Sequence, residues 1–152
     1  MNNIDGEILQ ALQTAALAAF DAATINRPSG WQKATHIKPV GITLTPPASG
    51  GYIEFVHIVN NGSDEYWDET QFYQGGFRLL LHWPMTDQDG PYAPMKYLSE
   101  LAGKFSKSLQ YPIEGVAGVF VRLTKNPSAS GPIENGSELL FPLTLSYRCF
   151  RP

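Results

Sequence analysis

Apolar residues Ile4, Ile8, Leu12, Ala15, Ala16, Ala19 and Ala23 recur at helical spacing, and Glu7, Gln10, Gln13, Thr14 and Asp21 fall on the opposite arc. This pattern predicts an amphipathic helix over residues 4–23, capped by Asn3 or Asp5, with enough alanine to lie close against a sheet. Prolines 28, 39, 46 and 47 and glycines 30, 41, 50 and 51 then break any long element, so residues 26–51 read as an excursion with one short strand near 41–45. Residues 52–59 alternate Ile53, Phe55 and Val59 against Glu54, Val56 and Ile58, the mark of a strand. After a polar stretch, residues 71–83 set Tyr73, Phe77, Leu79, Leu81 and Trp83 against Gln74, Arg78, Leu80 and His82. That is a second, longer strand, in which Gly75-Gly76 predicts a bulge or bend.

Pro84 and the turn residues 87–90 end it, and Pro91 and Pro94 are compatible only with the first turn of a helix. This second helix is predicted to run to about residue 110, with Met95, Leu98, Leu101, Ala102, Phe105 and Leu109 inward and Lys96, Glu100, Lys104 and Lys107 outward. Strands over 116–124 and 138–150 complete the chain, joined by residues 125–137, whose Asn-Pro, Ser-Gly-Pro and Asn-Gly sequences predict a mobile hairpin loop. Pro142, lacking an amide proton, belongs at a sheet edge or a bulge. The expectation is one α+β domain over 1–152: a mainly antiparallel sheet with two helices on one face, in the order α-β-β-α-β-β.

Length supports a single core, since a domain near 150 residues buries about 68–70% of the surface its unfolded chain exposes. Charge is more informative. Only 16% of the 152 residues are charged, 14 acids against 11 bases, with the bases scattered. Nucleic-acid binding, which needs clustered Lys and Arg, is not expected as the main activity. The single Cys149 cannot close an internal disulfide and reads as a small buried strand residue. Asp5 and Glu7 stand where an export leader would carry Lys or Arg, and no apolar run nears the roughly 18 residues of a membrane span.

Candidate chemistry is sparse. His36, His57 and His82 share no metal-ligand spacing, and no nucleophile elbow, phosphate loop or dinucleotide motif occurs. No catalytic, cofactor or metal residue is assigned, and no enzyme activity is expected. The acidic aromatic run Asp64, Glu65, Tyr66, Trp67, Asp68 and Glu69 reads as a partner-docking loop, because exposed Tyr and Trp anchor interfaces. If Phe77, Leu79, Leu81, Val119, Val121, Leu143 and Leu145 face the helices, the other side of the sheet carries Arg78, Leu80, Phe120, Arg122, Leu140, Thr144, Arg148 and Phe150. Such a mixture of arginine and large apolar groups points to a subunit interface, unless the 26–51 excursion folds over it.

These elements, with Tyr52-Ile-Glu-Phe-Val56, Gly76-Phe-Arg-Leu79 running to Trp83-Pro84, Pro91-Tyr-Ala-Pro94, Leu101-Ala-Gly-Lys-Phe105 and Phe141-Pro-Leu-Thr-Leu-Ser-Tyr-Arg148, resemble the tail terminator (tail completion) proteins of long-tailed bacteriophages. The excursion at 26–51 is longer than the family pattern. The resemblance implies a virion protein, assembled in the host cytoplasm. It would form a homo-oligomeric ring, typically a hexamer, that caps the head-proximal end of the tail tube and docks the neck, with tube and neck proteins as partners and no cofactor. The alternatives are a head-closure or neck connector and, from another class, a small-molecule-binding domain with its pocket between helices and sheet.

Overall fold

A computed structural model describes residues 5–47, 51–61, 71–84, 92–105, 110–115 and 117–151, with the backbone alone at 60, 61, 71, 72, 150 and 151. In chain order the elements are α1 (Asp5–Ala22), α2 (Lys33–His36), β1 (Ile37–Lys38), β2 (Tyr52–Asn61), β3 (Gln71–Pro84), α3 (Tyr92–Gly103), β4 (Gln110–Pro112), β5 (Phe120–Leu123), β6 (Ser128–Ala129), β7 (Ile133–Asn135) and β8 (Glu138–Arg151). The fold is α+β, as the pattern predicts. The order α-β-β-α-β-β is corrected: α2, β1, β4, β6 and β7 are two to four residues long, too short to show a periodicity of their own. The sheet is mixed, because β1 runs parallel to β2 while every other pairing is antiparallel.

The sheet is built around β8. One edge pairs with β3 without interruption from Gln71↔Arg151 to Pro84↔Glu138. The other edge is shared in turn by β5, β6 and β7. Residues 125–137 are therefore not the free hairpin loop the turn residues predict. They form one broken strand laid along β8, with Thr124 N donating to Ser146 O at 2.9 Å and Ser130 N to Pro142 O at 3.0 Å across the breaks. Pairing gains two residues between β5 and β6 (Leu123↔Tyr147, Ser128↔Thr144) and one more between β6 and β7 (Ala129↔Leu143, Ile133↔Leu140). Pro142 meets the second of these bulges, where its missing N–H costs no ladder bond, in agreement with expectation.

Alternation sorts the faces as predicted. Ile53, Phe55, Phe77, Leu79, Leu81, Val119, Val121, Phe141, Leu143 and Leu145 are buried against the helices. On α1 the buried row is Ile8, Leu12, Ala16, Ala19 and Phe20; α1 meets β2, β3, β4 and β5, while α3 meets β3, β6 and β8. The second helix stops at Gly103, short of residue 110, and Gln110 instead opens an edge strand against β5. Its inward row is Pro94, Tyr97, Leu98 and Leu101, continued by Phe105, whereas Met95 is 45% exposed. The expected inward Leu109 lies outside the described residues. The strand expected from residue 116 begins only at Phe120, after the turn containing Gly115 and Gly118, with Ile113 N donating to Val119 O.

The 26–51 excursion packs on the helix side of the sheet at Trp31 and at Val40, whose N–H donates to Gln13 Oε1 of α1 at 2.9 Å. Trp31 packs with the helix-side core, edge-on to Tyr97 at 5.9 Å and 6.0 Å from Trp83. Gly51 leaves room for it, since a Cβ there would stand 2.8 Å from the Trp31 ring. The strand expected at 41–45 is absent; the strand of this region is β1, and residues 42–47 are unpaired. Glu100 ties the end of α1 to α3 by accepting hydrogen bonds from Ile25 N and Asn26 N, which hold its carboxyl below the usual range.

No bulge occurs at Gly75-Gly76, since the register runs unbroken through Val59↔Gly75 and Ile58↔Gly76. The glycine serves a close approach instead. Tyr147 crosses Gly75 to hydrogen-bond His57 Nε2 at 2.6 Å, and a Cβ on Gly75 would collide with the Ile58 carbonyl and stand 2.8 Å from Tyr147 Oη. Burial pushes the Tyr147 phenol up and the His57 imidazole down, so both favour the neutral form. Gly75→Ala is expected to lower stability by about 1–3 kcal/mol through overpacking. Gly76→Ala, whose Cβ would meet nothing nearer than 3.9 Å, is expected to stay within about 0.5 kcal/mol of the parent. Chemical denaturation of the two variants measures the difference.

Candidate subunit interface

The side of the sheet away from the helices is uncovered in the described residues. Register places its side chains in rows across the strands. Arg122 of β5 lies directly opposite Arg148 of β8, which faces Gln74 of β3. Two residues further on, Gly76 and Ser146 leave a shallow strip beside Ile58, which is 46% exposed. Thr144, Arg78 and Val56 form the next row, with Arg78 Nε 3.4 Å from Thr144 Oγ1. Beyond them come Leu80, beside Glu54 and the buried Pro142, and Leu140, beside His82, both half-buried, and Phe120 is half-buried beside Pro112. The structure thus gathers Arg78, Leu80, Phe120, Arg122, Leu140 and Arg148 on one surface. For Phe150 the backbone pairs with Phe72, and its side chain lies outside the described residues. So do Asp64, Glu65, Tyr66, Trp67, Asp68 and Glu69.

The far end of the same face holds a polar network that the sequence did not reveal. Its members come from four neighbouring strands, so only the pairing register brings them together. His82 Nδ1 stands 3.0 Å from Glu138 Oε1, and His82 Nε2 stands 3.2 Å from Glu54 Oε1. Lys38 Nζ donates to Glu54 Oε2 at 2.8 Å, and the Tyr52 ring stacks on His82 with centroids 4.1 Å apart. His82 is consequently buried at 6% exposure on a face that is otherwise open. The Lys38 hydrogen bond, with a smaller contribution from His82, holds the Glu54 carboxyl below its usual range against the opposing effect of burial. Burial, reinforced by Glu138 and Glu54, raises the Tyr52 phenol. A faint signal was present in the sequence, since Glu54 and His82 are charged or polar at positions that alternate with core residues.

This network ties four strands together: a carboxylate stands near each nitrogen of its histidine, and Glu54 also accepts from Lys38. Among the described residues no three His, Cys, Asp or Glu side chains are grouped to hold a metal. Cys149 is buried, and burial pushes its thiol up to about 11, away from the nucleophilic thiolate. A separate groove of ≈ 500 Å³ runs between α1 and the edge strand β4, floored by Ala11, Ala15, Ala18 and Ala22 and flanked by Tyr111 and Pro112. No described helix is long and apolar enough to cross a membrane.

The comparisons with known proteins add the fold and nothing chemical. No family model matches the chain, and no curated protein does. A solved structure of a protein that carries no functional name aligns with 92% of this chain and 97% of its own, at 21% identity and a TM-score of 0.61. The α+β fold is thus shared with another protein.

The ion pair at Glu54 makes a pH test. A carboxyl held below its ordinary value contributes stability above the unfolded value, about 4.3, and loses it as pH falls through the folded value. Lys38→Met is therefore expected to unfold at lower denaturant than the parent at pH 7, with the gap closing below pH 4. Parallel urea titrations at the two pH values check it.

Proposed function

We propose that copies of this chain associate through the open sheet face into a ring, and that the ring is the tail terminator of a long-tailed bacteriophage. It would sit on the head-proximal end of the tail tube, stop tube growth and offer a surface to the neck. The carrying observation is the uncovered face itself: Leu80, Phe120 and Leu140 have no described element over them, and Ile58 is 46% exposed. Apolar side chains that large on a continuous strand surface are stabilised by burial against a partner. The sequence resemblance supplies the identity of the ring; the face supplies the means of assembly. This reading places the protein in the virion, with copies of itself, the tube protein and a neck protein as partners. It requires no catalytic residue or cofactor. A head-closure or neck connector would use the same kind of face and is separated from a terminator by which structure the ring binds.

One observation favours a reading of another class. The α1–β4 groove has an apolar floor, and Tyr111 Oη at its side is buried without a hydrogen-bond partner, a combination that suits a small apolar ligand with one polar atom. A melting temperature raised by such a ligand, in a protein that stays a single subunit, would select the pocket.

Phe120→Asp tests the ring. Phe120 is half-buried on the open side, between buried Val119 and Val121, so aspartate there meets water in the subunit and costs little beyond strand propensity. In an assembly it removes roughly 1.5–3 kcal/mol of burial at each contact and adds the desolvation of a carboxylate. The variant is expected to keep its circular dichroism and cooperative melt while sedimenting as one subunit, whereas the parent sediments as a ring. Negative-stain images of the parent mixed with tail tubes should show density at one tube end. Rings formed by the variant would remove this face from the assembly, and bare tube ends beside intact rings would remove the tail role.

A further inference from the structure

Among the described residues, one stretch of sheet edge and one strand-like segment of the chain each lack a strand partner. On β2 the outer edge is covered by β1 only at Ile53 and Glu54, while the inner edge pairs with β3 as far as Asn61. Pro39 ends β1, and a turn closed by Ile42 N donating to Pro39 O at 3.3 Å, with Gly41 at φ 76°, takes the chain off that edge. Within the turn Val40 N donates to Gln13 Oε1 of α1. The outer edge from Phe55 onward therefore carries no strand among the described residues. Monomeric proteins blunt such an edge with proline, lysine or a bulge. Phe55, Val56, His57, Ile58 and Val59 include no proline, acid, lysine or arginine, and their register with β3 is unbroken. Ile58 and Val59 are 46% and 43% exposed.

The unpartnered segment is Ile42-Thr-Leu-Thr45. Three β-branched residues and a leucine, bounded by Gly41 and Pro46, have the composition of a strand. Residues 42–47 nevertheless adopt none, and Ile42 is 56% exposed, with Thr43 and Thr45 exposed beside it. We infer that residues 42–45 of one copy add as a strand to the outer β2 edge, at residues 55–59, of the next copy. Unpaired backbone N–H and C=O groups along an edge are what a further strand satisfies. Setting apolar beside apolar puts Ile42 and Leu44 next to Val56 and Ile58 on the open-face side, and Thr43 and Thr45 on the other. The exposed Ile42 and Ile58 are both covered in this contact. Val56 and Ile58 border the open face, so a copy seated on that face reaches the edge within one continuous interface. Donor and acceptor are different surfaces, which makes the contact heterologous, the kind that rotation repeats into a ring. The inference rests on the ring reading and deepens it by naming the strand that each copy lends to its neighbour.

Two measurements on the full chain test it. Ile42→Cys and Ile58→Cys are made in separate chains, so in mixed rings a short thiol cross-link between positions 42 and 58 can form only between copies. The native Cys149 is buried. The expected product is a covalent dimer whose linked peptides contain residues 42 and 58, formed in rings and absent from mixed single subunits. Hydrogen exchange gives the second readout. In rings the outward amides of residues 55–59 and the amides of 42–45 are expected to slow together, by about tenfold or more relative to the parent diluted to single subunits. Mixed rings that give no such link, or in which either segment exchanges as fast as in single subunits, would overturn the lent strand and leave the ring standing. A chain carrying both cysteines that links only within itself would overturn it too, because the segment then closes on its own edge. A parent that stays a single subunit at all concentrations would overturn both readings.

Discussion

The pairing of β3 with β8 is the constraint on which the molecule depends. Fourteen consecutive partners, from Gln71↔Arg151 to Pro84↔Glu138, fix the parity of both strands at once. A slip of one residue would exchange Phe77, Leu79, Leu81, Leu143 and Leu145 for Arg78, Leu80, His82, Thr144 and Ser146. The buried face leaves no room for that exchange, because α1 and α3 fill it and Trp31 packs among the same side chains. Every shorter strand that adjoins them takes its position from these two: β2 from β3, and β5, β6 and β7 from β8.

The same parity that builds the core also builds the open face. Once odd-numbered residues of β3 and β8 are committed to the helices, their even-numbered neighbours are committed to the other side, whatever their chemistry. That side is divided in composition: Arg122 and Arg148 at one end, Arg78 and Thr144 in the middle, and the Tyr52–His82–Glu54–Glu138 network at the other, interleaved with half-buried Leu80 and Leu140. The network satisfies its own polar groups, which makes that end a finished surface. At the other end Arg122 and Arg148 are exposed, so the two ends differ in charge, and a face with a direction orients a partner, whereas apolar area alone only holds one.

How much of this was legible in the chain depended on element length. Helix α1 and strands β2, β3 and β8 run for ten residues or more, long enough for a period to emerge. They carry most of the core, so the fold class and the two faces could be read from alternation. The short strands had no such signal; β6 and β7 lie within a run of Pro, Gly, Ser and Asn whose local chemistry reads as loop, and only the free edge of β8 makes them strands. Tertiary context also decided between neighbouring helical arcs. Met95 and Tyr97 both fit an inward row, and the aromatic wall of Trp31 selects Tyr97. Gly75 stands out in the sequence as a break in a strand, yet the Tyr147 ring that requires it is 72 positions away. Of the Lys38–Glu54–His82–Glu138 network only polar residues at alternating positions showed in the chain, because their meeting depends on the register of four strands.

The edges of the sheet bear on how copies of the chain can meet. A long exposed edge strand invites another strand to pair with it. Here the outermost strands are two and three residues long, β1 is followed by Pro39, and β4 ends in Pro112. Proline has no N–H to donate, and so short a ladder offers few bonds to a newcomer. The long strands β3 and β8, which could support extensive pairing, have their partners on both sides. Backbone pairing between copies is thus blunted at the β4 edge, whereas β1 covers only Ile53 and Glu54 of β2 and the outer edge of residues 55–61 carries no strand among the described residues; the broad surface beside these edges is made of side chains. Association through side chains, unlike edge pairing, is specified by where charge and apolar groups fall. In the proposed ring, the placement of Arg122 and Arg148 at one end of the face, with Leu80 and Leu140 toward the other, would specify the contact.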